Sequence, residues 1–418
     1  MKTSRLSLKK NIIWNSSGSF IYLFFQWLIN YLVTTLLGFE NAGIFSLAIS
    51  VSSIAYAFSI YGVRGYQVSD ISRKYSDKSY ITARVITCLL SIVGCLIFLL
   101  FYGYSTYTTL CIIAYLIFKM SEAYVDVYHG IIQRGMRMDF IGKSFILRGI
   151  VSNFLFIGSM ILTKNLLLSI AILAASSFIL VFIYDRNKVA IFYEKTNDTS
   201  FKIILNLLIE CLPLAVYTLL SNLVMAIPRI NLESIKGSEI LGIYASVAIP
   251  AAIIQVLSGY IFAPMLTIFA EHIDKRNFNL FNKLLFKTIF LISILSITVI
   301  IGGAILGDFG LKLLFGAKIN NYVYLFVPIL FISSLTAMSW FIGLMLTVIR
   351  EFKGLIIASV AAVTICFLGS SWAIKMFGIN GTSFILLFAL SIQIIIMSIF
   401  MTIKIKKLKA KQLFIKTS

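Results

Sequence analysis

Charge is scarce in this chain: 12% of its residues are charged, only 16 are acidic, and 60% are hydrophobic. So little charge excludes a soluble globular domain of ordinary composition. Two histidines, His129 and His272, exclude a histidine-rich metal centre, and neither a metal nor a cofactor is expected. The five cysteines (Cys88, Cys95, Cys111, Cys211 and Cys366) lie in apolar segments with no CxxC spacing, so they read as small buried hydrophobes. No GxxxxGK[ST] loop occurs, which excludes that type of nucleotide site. Only five prolines interrupt the chain.

What is present is apolar sequence in runs near the roughly 20 residues needed to cross a ~30 Å hydrocarbon core. Lipid cannot satisfy a free backbone, so helices are the spanning element. Twelve spans are predicted, at 12–37, 41–63, 81–101, 107–128, 144–163, 166–184, 202–227, 241–268, 284–306, 322–348, 355–375 and 380–403. The first run is too long for a signal peptide and lacks a small-residue cleavage site, so it is expected to stay. Of the 36 Lys and Arg, 29 fall on one side of this topology and six on the other, namely Lys164, Arg229, Lys236, Lys312, Lys318 and Lys375. Lys119 is left inside a span. The asymmetry places both termini in the cytoplasm and gives the net charge of +20 anionic membrane lipid, not nucleic acid, as its partner.

Self-comparison divides the chain. Asn15, Ser19, Tyr22, Gln26 and Asn30 share one helical face, and Asn206, Glu210, Pro213, Tyr217 and Ser221 follow the same steps in the seventh span. GFENAGIF, from Gly38, is echoed by GSEILGIY, from Gly237. Gly130, Arg137, Phe140 and Gly142 are echoed by Gly343, Arg350, Phe352 and Gly354 with one residue deleted. Three echoes in one order predict an all-α polytopic membrane protein of about 12 transmembrane helices in two six-helix halves. An even number of spans per half gives a parallel pseudo-twofold repeat, the plan of transporters with a cargo site between halves. The predicted divisions are an N-terminal bundle at 1–185, a cytoplasmic linker at 186–201, a C-terminal bundle at 202–404 and a basic cytoplasmic tail at 405–418. The tail, KIKKLKAKQLFIK from Lys404, is expected to lie on anionic lipid.

LLGFENAGIFSLAISV, followed by YGVRGYQVSDISRKYSD, resembles Wzx-type polysaccharide transporters of the multidrug, oligosaccharidyl-lipid and polysaccharide exporter superfamily. The resemblance extends to length, span count and six-plus-six repeat. It implies a flippase of the bacterial cytoplasmic (inner) membrane that moves undecaprenyl-pyrophosphate-linked oligosaccharide to the outer leaflet for O-antigen or capsule synthesis. Polysaccharide polymerase and chain-length machinery are the implied protein partners. The chain departs from the family at Ser69 and Asp70, where relatives often carry an arginine and an acidic residue, so Arg64 or Arg73 would have to serve.

Such a cargo asks for cations at its pyrophosphate and polar or aromatic groups at its sugars. Arg64, Lys119 and Arg148 are the pyrophosphate candidates. Intramembrane cations are costly without a partner or a wet cavity, and a planar guanidinium grips phosphate bidentately. Asn15, Ser19, Tyr22, Gln26, Asn30 and Tyr217 are the glycan-cavity candidates, with interhelical hydrogen bonding as the competing role. Glu122, Asp126 and Glu210 are candidates to couple H+ or Na+, because two acids beside Lys119 leave one carboxylate unmatched and burial raises its pKa. Bland alternatives stand beside each: Lys119 neutralised by Glu122, Arg64 as a positive-inside anchor, and Arg148 snorkelling to the interface. Arg229 and Lys236 are the main external cations: one reading has them receive or repel the headgroup on exit, the other has them anchor the surface. A multidrug cation antiporter of the same fold is the first alternative function, and a membrane polymerase or transferase the second. A mixed cationic cavity favours anionic cargo, and short external loops count against an enzyme.

Overall fold

The computed structural model describes residues 6–70, 73–194, 200–262 and 265–417. Helix dominates, and no strand occurs among the described residues. Ten helical segments among them are long and apolar enough to cross a membrane. One of these, Lys9–Val68, is 60 residues long and covers the first two predicted crossings. Its main helix, α1 (Leu8–Ile60), leaves helical geometry at Gly38, where φ is 84° and ψ 174°. A left-handed φ of this kind favours glycine, which has no Cβ to clash.

The chain divides into two compact units, Met1–Asn222 and Leu223–Ser418. In the first, α1 is followed by α2 (Val63–Ser69), α3 (Asp77–Tyr102), α4 (Thr106–Arg134), α5 (Met138–Leu147), α6 (Asn153–Thr163), α7 (Leu166–Leu180), the short α8 (Arg186–Val189) and the start of α9 (Phe201–Lys236). α4 has 29 residues but is not among the ten apolar segments; Lys119, Glu122 and Asp126 dilute its hydropathy. Where α1 meets α5 the backbones touch: a Cβ on Gly18 would enter the Gly142 carbonyl, and one on Gly142 the Trp14 carbonyl. Gly142→Ala is therefore expected to destabilise the protein by about 1–3 kcal/mol, read as a lowered midpoint of thermal unfolding in detergent.

The first unit also holds the connector and the seventh span's opening turns. Arg73 pairs with Glu194, the Glu194 amide donates to Asp77 at 3.2 Å, and Asp77 pairs with Arg134. On α9, Glu210 accepts from Lys74 and Tyr66. Glu210 holds the Lys74 ammonium above the ordinary lysine range through that hydrogen bond. Within the predicted linker, 195–199 lie outside the described residues.

The second unit runs from the rest of α9 through α10 (Ser238–Ala251), α11 (Ile253–Phe262), α12 (Leu266–Asp274), α13 (Phe278–Phe315), α14 (Phe326–Val348), α15 (Phe352–Phe377) and α16 (Ile379–Thr417). The span predicted at 241–268 is not one helix. It breaks at Ala252, just after Pro250, whose ring cannot continue the hydrogen-bond ladder; residues 263–264 of it lie outside the described residues. The predicted tail continues α16 to Thr417, with Ser418 outside the description. All five cysteines are buried and free.

The backbone repeats more fully than the sequence does. Residues of positive φ occur in similar order in the two halves: Gly38 and Gly237 (φ 84° and 86°), Arg73 and Arg276 (54° and 53°), and Met136 and Arg350 (56° and 55°) pair closely, Gly103 with Gly316 and Lys164 with Gly378 share positive φ but not ψ, and Tyr61 and Gly62 have no counterpart among the described residues. The turns at Met136 and Arg350 close with equivalent bonds, Arg137 N–H to Ile132 O and Glu351 N–H to Leu346 O, the helix-ending pattern of a Schellman turn. This register corrects two sequence echoes. Arg350 matches Met136 rather than Arg137. Asn30 and Arg229 each stand eight residues before a kink glycine, so the similar spacing of the polar stripes ending at Asn30 and Ser221 is not a structural equivalence.

Candidate functional site

The polar groups of the first unit gather along α4. Ser105 caps this helix, accepting from the Thr108 amide at 3.2 Å. One face then presents Lys119, Glu122, Asp126, His129 and Gln133 to four surrounding helical segments.

At the first level Lys119 Nζ contacts Glu122 at 2.5 Å. The ammonium lies 5.3 Å from the ring centres of Tyr56 and Phe118 and 5.7 Å from that of Tyr115, within cation–π range. Glu122 also accepts from the Tyr22 hydroxyl on α1. Lys119 and Glu122 remain 19% and 13% exposed, so this level is accessible.

One turn further, Asp126 accepts from Arg64 at 3.1 Å and Arg84 at 2.8 Å. Arg84 is fully buried and also donates to the Ser59 carbonyl at 2.6 Å, one of the last carbonyls of α1, which helix geometry leaves unpaired. Arg64 spans Asp126 and Gln133, at 3.0 Å, and keeps 27% of its side chain exposed. Asp126 is therefore not the unmatched acid that its spacing from Lys119 suggests.

At the third level Arg148 contacts Asp185 at 2.9 Å and Ser177 at 2.7 Å. Ser144 donates to Asp185 at 2.6 Å, and His129 Nε2 lies 3.8 Å away from it. Arg148 and Asp185 both sit in π turns, Arg148–Ser152 and Val181–Asp185. Such turns widen the helix and free carbonyls; Asn153 answers two of them, donating to Arg148 O at 3.2 Å and Gly149 O at 2.7 Å. Arg148 makes no hydrogen bond or ion pair with Lys119 or Glu122 among the described residues, and reaches Glu122 only through its electric field. It is 4% exposed, which is incompatible with snorkelling to an interface. His129, placed at a cytoplasmic boundary by the sequence topology, is 2% exposed.

Of the polar stripe on α1, Tyr22 enters the network directly. Gln26 donates to Asn153 at 3.5 Å, Asn30 donates to Gln26 O at 2.8 Å, and Asn15 Oδ1 is enclosed without a hydrogen-bond partner among the described residues. Ser19 and Tyr217 are half-buried. Glu210 stands apart, held by Lys74 and Tyr66. Arg73 is engaged with Glu194, which leaves Arg64 as the arginine that reaches the network. Asp70 organises the α2–α3 turn, accepting from the Lys74 and Tyr75 amides and the Tyr80 hydroxyl.

Arg84, Asp185 and His129 complete the network and were not among the sequence candidates. With them the charges become four cations (Arg64, Arg84, Lys119 and Arg148) against three carboxylates (Glu122, Asp126 and Asp185). The sequence spacing suggested a spare carboxylate; the folded unit has a spare cation. It resides where two arginines share Asp126, on the accessible partner, Arg64.

A family model described as "Polysaccharide biosynthesis protein" matches residues 8–270. The capsular polysaccharide biosynthesis protein CapF of Staphylococcus aureus is 27% identical over 307 residues, 71% of this chain and 75% of that one. Two solved structures of a multidrug resistance MATE family transporter of the MOP superfamily share the fold. The outward-facing one has a TM-score of 0.64 at 16% identity, covering 97% of this chain and 98% of its own. The inward-facing one has a TM-score of 0.65 at 15% identity, covering 96% and 99%. Matched to the family model over more than half its length, the chain belongs to the polysaccharide biosynthesis protein family, on the fold of the MATE transporters.

Proposed function

We propose that the protein is a flippase, carrying undecaprenyl-pyrophosphate-linked oligosaccharide from the cytoplasmic to the outer leaflet of a bacterial cytoplasmic membrane for surface polysaccharide synthesis. The observation that carries this reading is the spare, accessible guanidinium of Arg64 beside Asp126. A surplus of cation over carboxylate within membrane-spanning helices suits a cargo that brings its own negative charge. Lys119, with Tyr22, Tyr56 and Tyr115 around it, offers a second cation in aromatic and hydroxyl surroundings of the kind sugars stack on and bond to.

In this reading the chain crosses the membrane twelve times, α1 with α2 counting as two crossings at the Gly38 kink and α4 as one, and both termini are cytoplasmic. Two six-helix halves alternate access to the cargo while the polyprenyl tail stays in lipid. An H+ or Na+ gradient supplies the work. Glu122 is the carboxylate best suited to couple it, because it has a single ammonium partner at an accessible level inside the helices, whereas Asp126 is held by two guanidinium groups and Glu210 stands apart from the network. A multidrug cation antiporter draws support from the MATE fold, but an organic cation would meet the wrong sign of surplus charge.

The test is surface polysaccharide in cells lacking their own exporter. Expression of this chain is expected to restore it. Lys119→Ala, which leaves Glu122 bonded to Tyr22, is expected to fold and to lower export by about tenfold, the scale of one charge-assisted contact. Normal export by that variant would remove Lys119 from the transport path.

A further inference from the structure

Arg229 lies in the second unit, in the closing turns of α9. Arg64, Arg84 and Arg148 of the first unit each meet a carboxylate. Arg229 meets none. No hydrogen bond or ion pair forms at it among the described residues, and its Nε is enclosed without a partner. Its neighbours are otherwise engaged. Glu233, one turn on, accepts from Ser238 Oγ at 3.1 Å, and Asn231 donates to Ser370 Oγ at 2.5 Å. The Tyr244 hydroxyl, electrostatically coupled to Arg229, is 3.2 Å from Ser383 Oγ.

A surface anchor would hold its guanidinium in water or headgroups, but Arg229 is half-buried with an inner nitrogen closed off. Nor does the helix require charge at this place. The equivalent position before the first kink is Asn30, a neutral amide satisfied within its own helix. A planar fork of five donors that forms no hydrogen bond among the described residues is the complement of an oxyanion. We infer that Arg229 is an anion-binding residue of the second unit that takes the phosphate oxygens of a lipid-linked diphosphate. The identity of that anion rests on the flippase reading. Phosphate oxygens are also carried by membrane phospholipids, so the test separates the two sources.

Full-length protein in phosphatidylcholine nanodiscs is titrated with geranylgeranyl diphosphate, and with geranylgeraniol as the uncharged control. Arg229→Gln is expected to weaken diphosphate binding by about tenfold to a hundredfold, Arg229→Lys by less, and alcohol binding not at all. Thermal stability of Arg229→Gln should equal or exceed that of the parent, because no partner is stranded. The same loss of affinity in phosphatidylglycerol discs supports cargo as the source. If the loss vanishes there, the site belongs to resident phospholipid and the cargo assignment is overturned. Unchanged diphosphate affinity in Arg229→Gln alongside weakened affinity in Arg64→Gln overturns the inference and leaves the flippase reading intact. A lowered melting temperature in Arg229→Gln makes the residue structural and also overturns it. Parent protein that binds the diphosphate no better than the alcohol defeats the flippase reading, and with it the anion assigned here.

Discussion

Asp126→Asn is expected to cost the protein about 3–5 kcal/mol of stability, the range for stranding a buried charge, and to lower its folded yield sharply in membranes. The carboxylate is shared by two arginines, and one of them, Arg84, has a fully buried side chain that cannot turn to water. An asparagine oxygen still accepts hydrogen bonds but carries no charge against two guanidinium groups. The double variant Asp126→Leu with Arg84→Met should recover much of the loss, because replacing a buried pair with apolar groups is often neutral. Thr87 would continue to bond the Ser59 carbonyl, at 2.7 Å. The check is denaturation of the purified single and double variants in one detergent. A single variant as stable as the parent would mean that Asp126 is not the anchor of Arg84.

Arg64→Gln makes the opposite expectation from the same carboxylate. It leaves Asp126 paired one-to-one with Arg84, so folding and yield should be nearly unchanged. Export should fall by about tenfold to a hundredfold, since the surplus charge proposed to meet an anionic cargo is gone. Restoring charge as Arg64→Lys should recover only part of the activity, because an ammonium cannot bridge Asp126 and Gln133 in the guanidinium's planar geometry. Stability and export thus separate at two residues 3.1 Å apart.

Much of this architecture is written in local sequence. Apolar runs mark nearly every spanning helix, and the glycine echo at Gly38 and Gly237 marks kinks with φ of 84° and 86°. Lys119 and Glu122 were legible as a pair because three residues bring them onto one face of α4. The rest of the site was not, because its partners are distant in sequence. Arg84 meets Asp126 across 42 residues, and Arg148 meets Asp185 across 37. Arg84 and Asp185 stand near predicted span ends, where charge ordinarily marks the water boundary. Helix packing, not spacing, makes them interior. For the same reason Asp126, near Lys119 in sequence, belongs to the arginines instead. The break at Ala252 was hidden by apolar residues on both sides of it, which keep hydropathy high whether or not the helix is continuous.

The most direct test of the central claim, that a cation surplus in the first unit serves an anionic lipid-linked cargo, is transport by purified protein in proteoliposomes. Two substrates are compared: a fluorescent polyprenyl-diphosphate-linked oligosaccharide, scored by its arrival in the opposite leaflet, and an organic cation, scored by efflux. The account predicts translocation of the diphosphate-linked oligosaccharide, its loss in Arg64→Gln, and no efflux of the cation above protein-free vesicles. Efflux of the cation with no translocation of the oligosaccharide would contradict it.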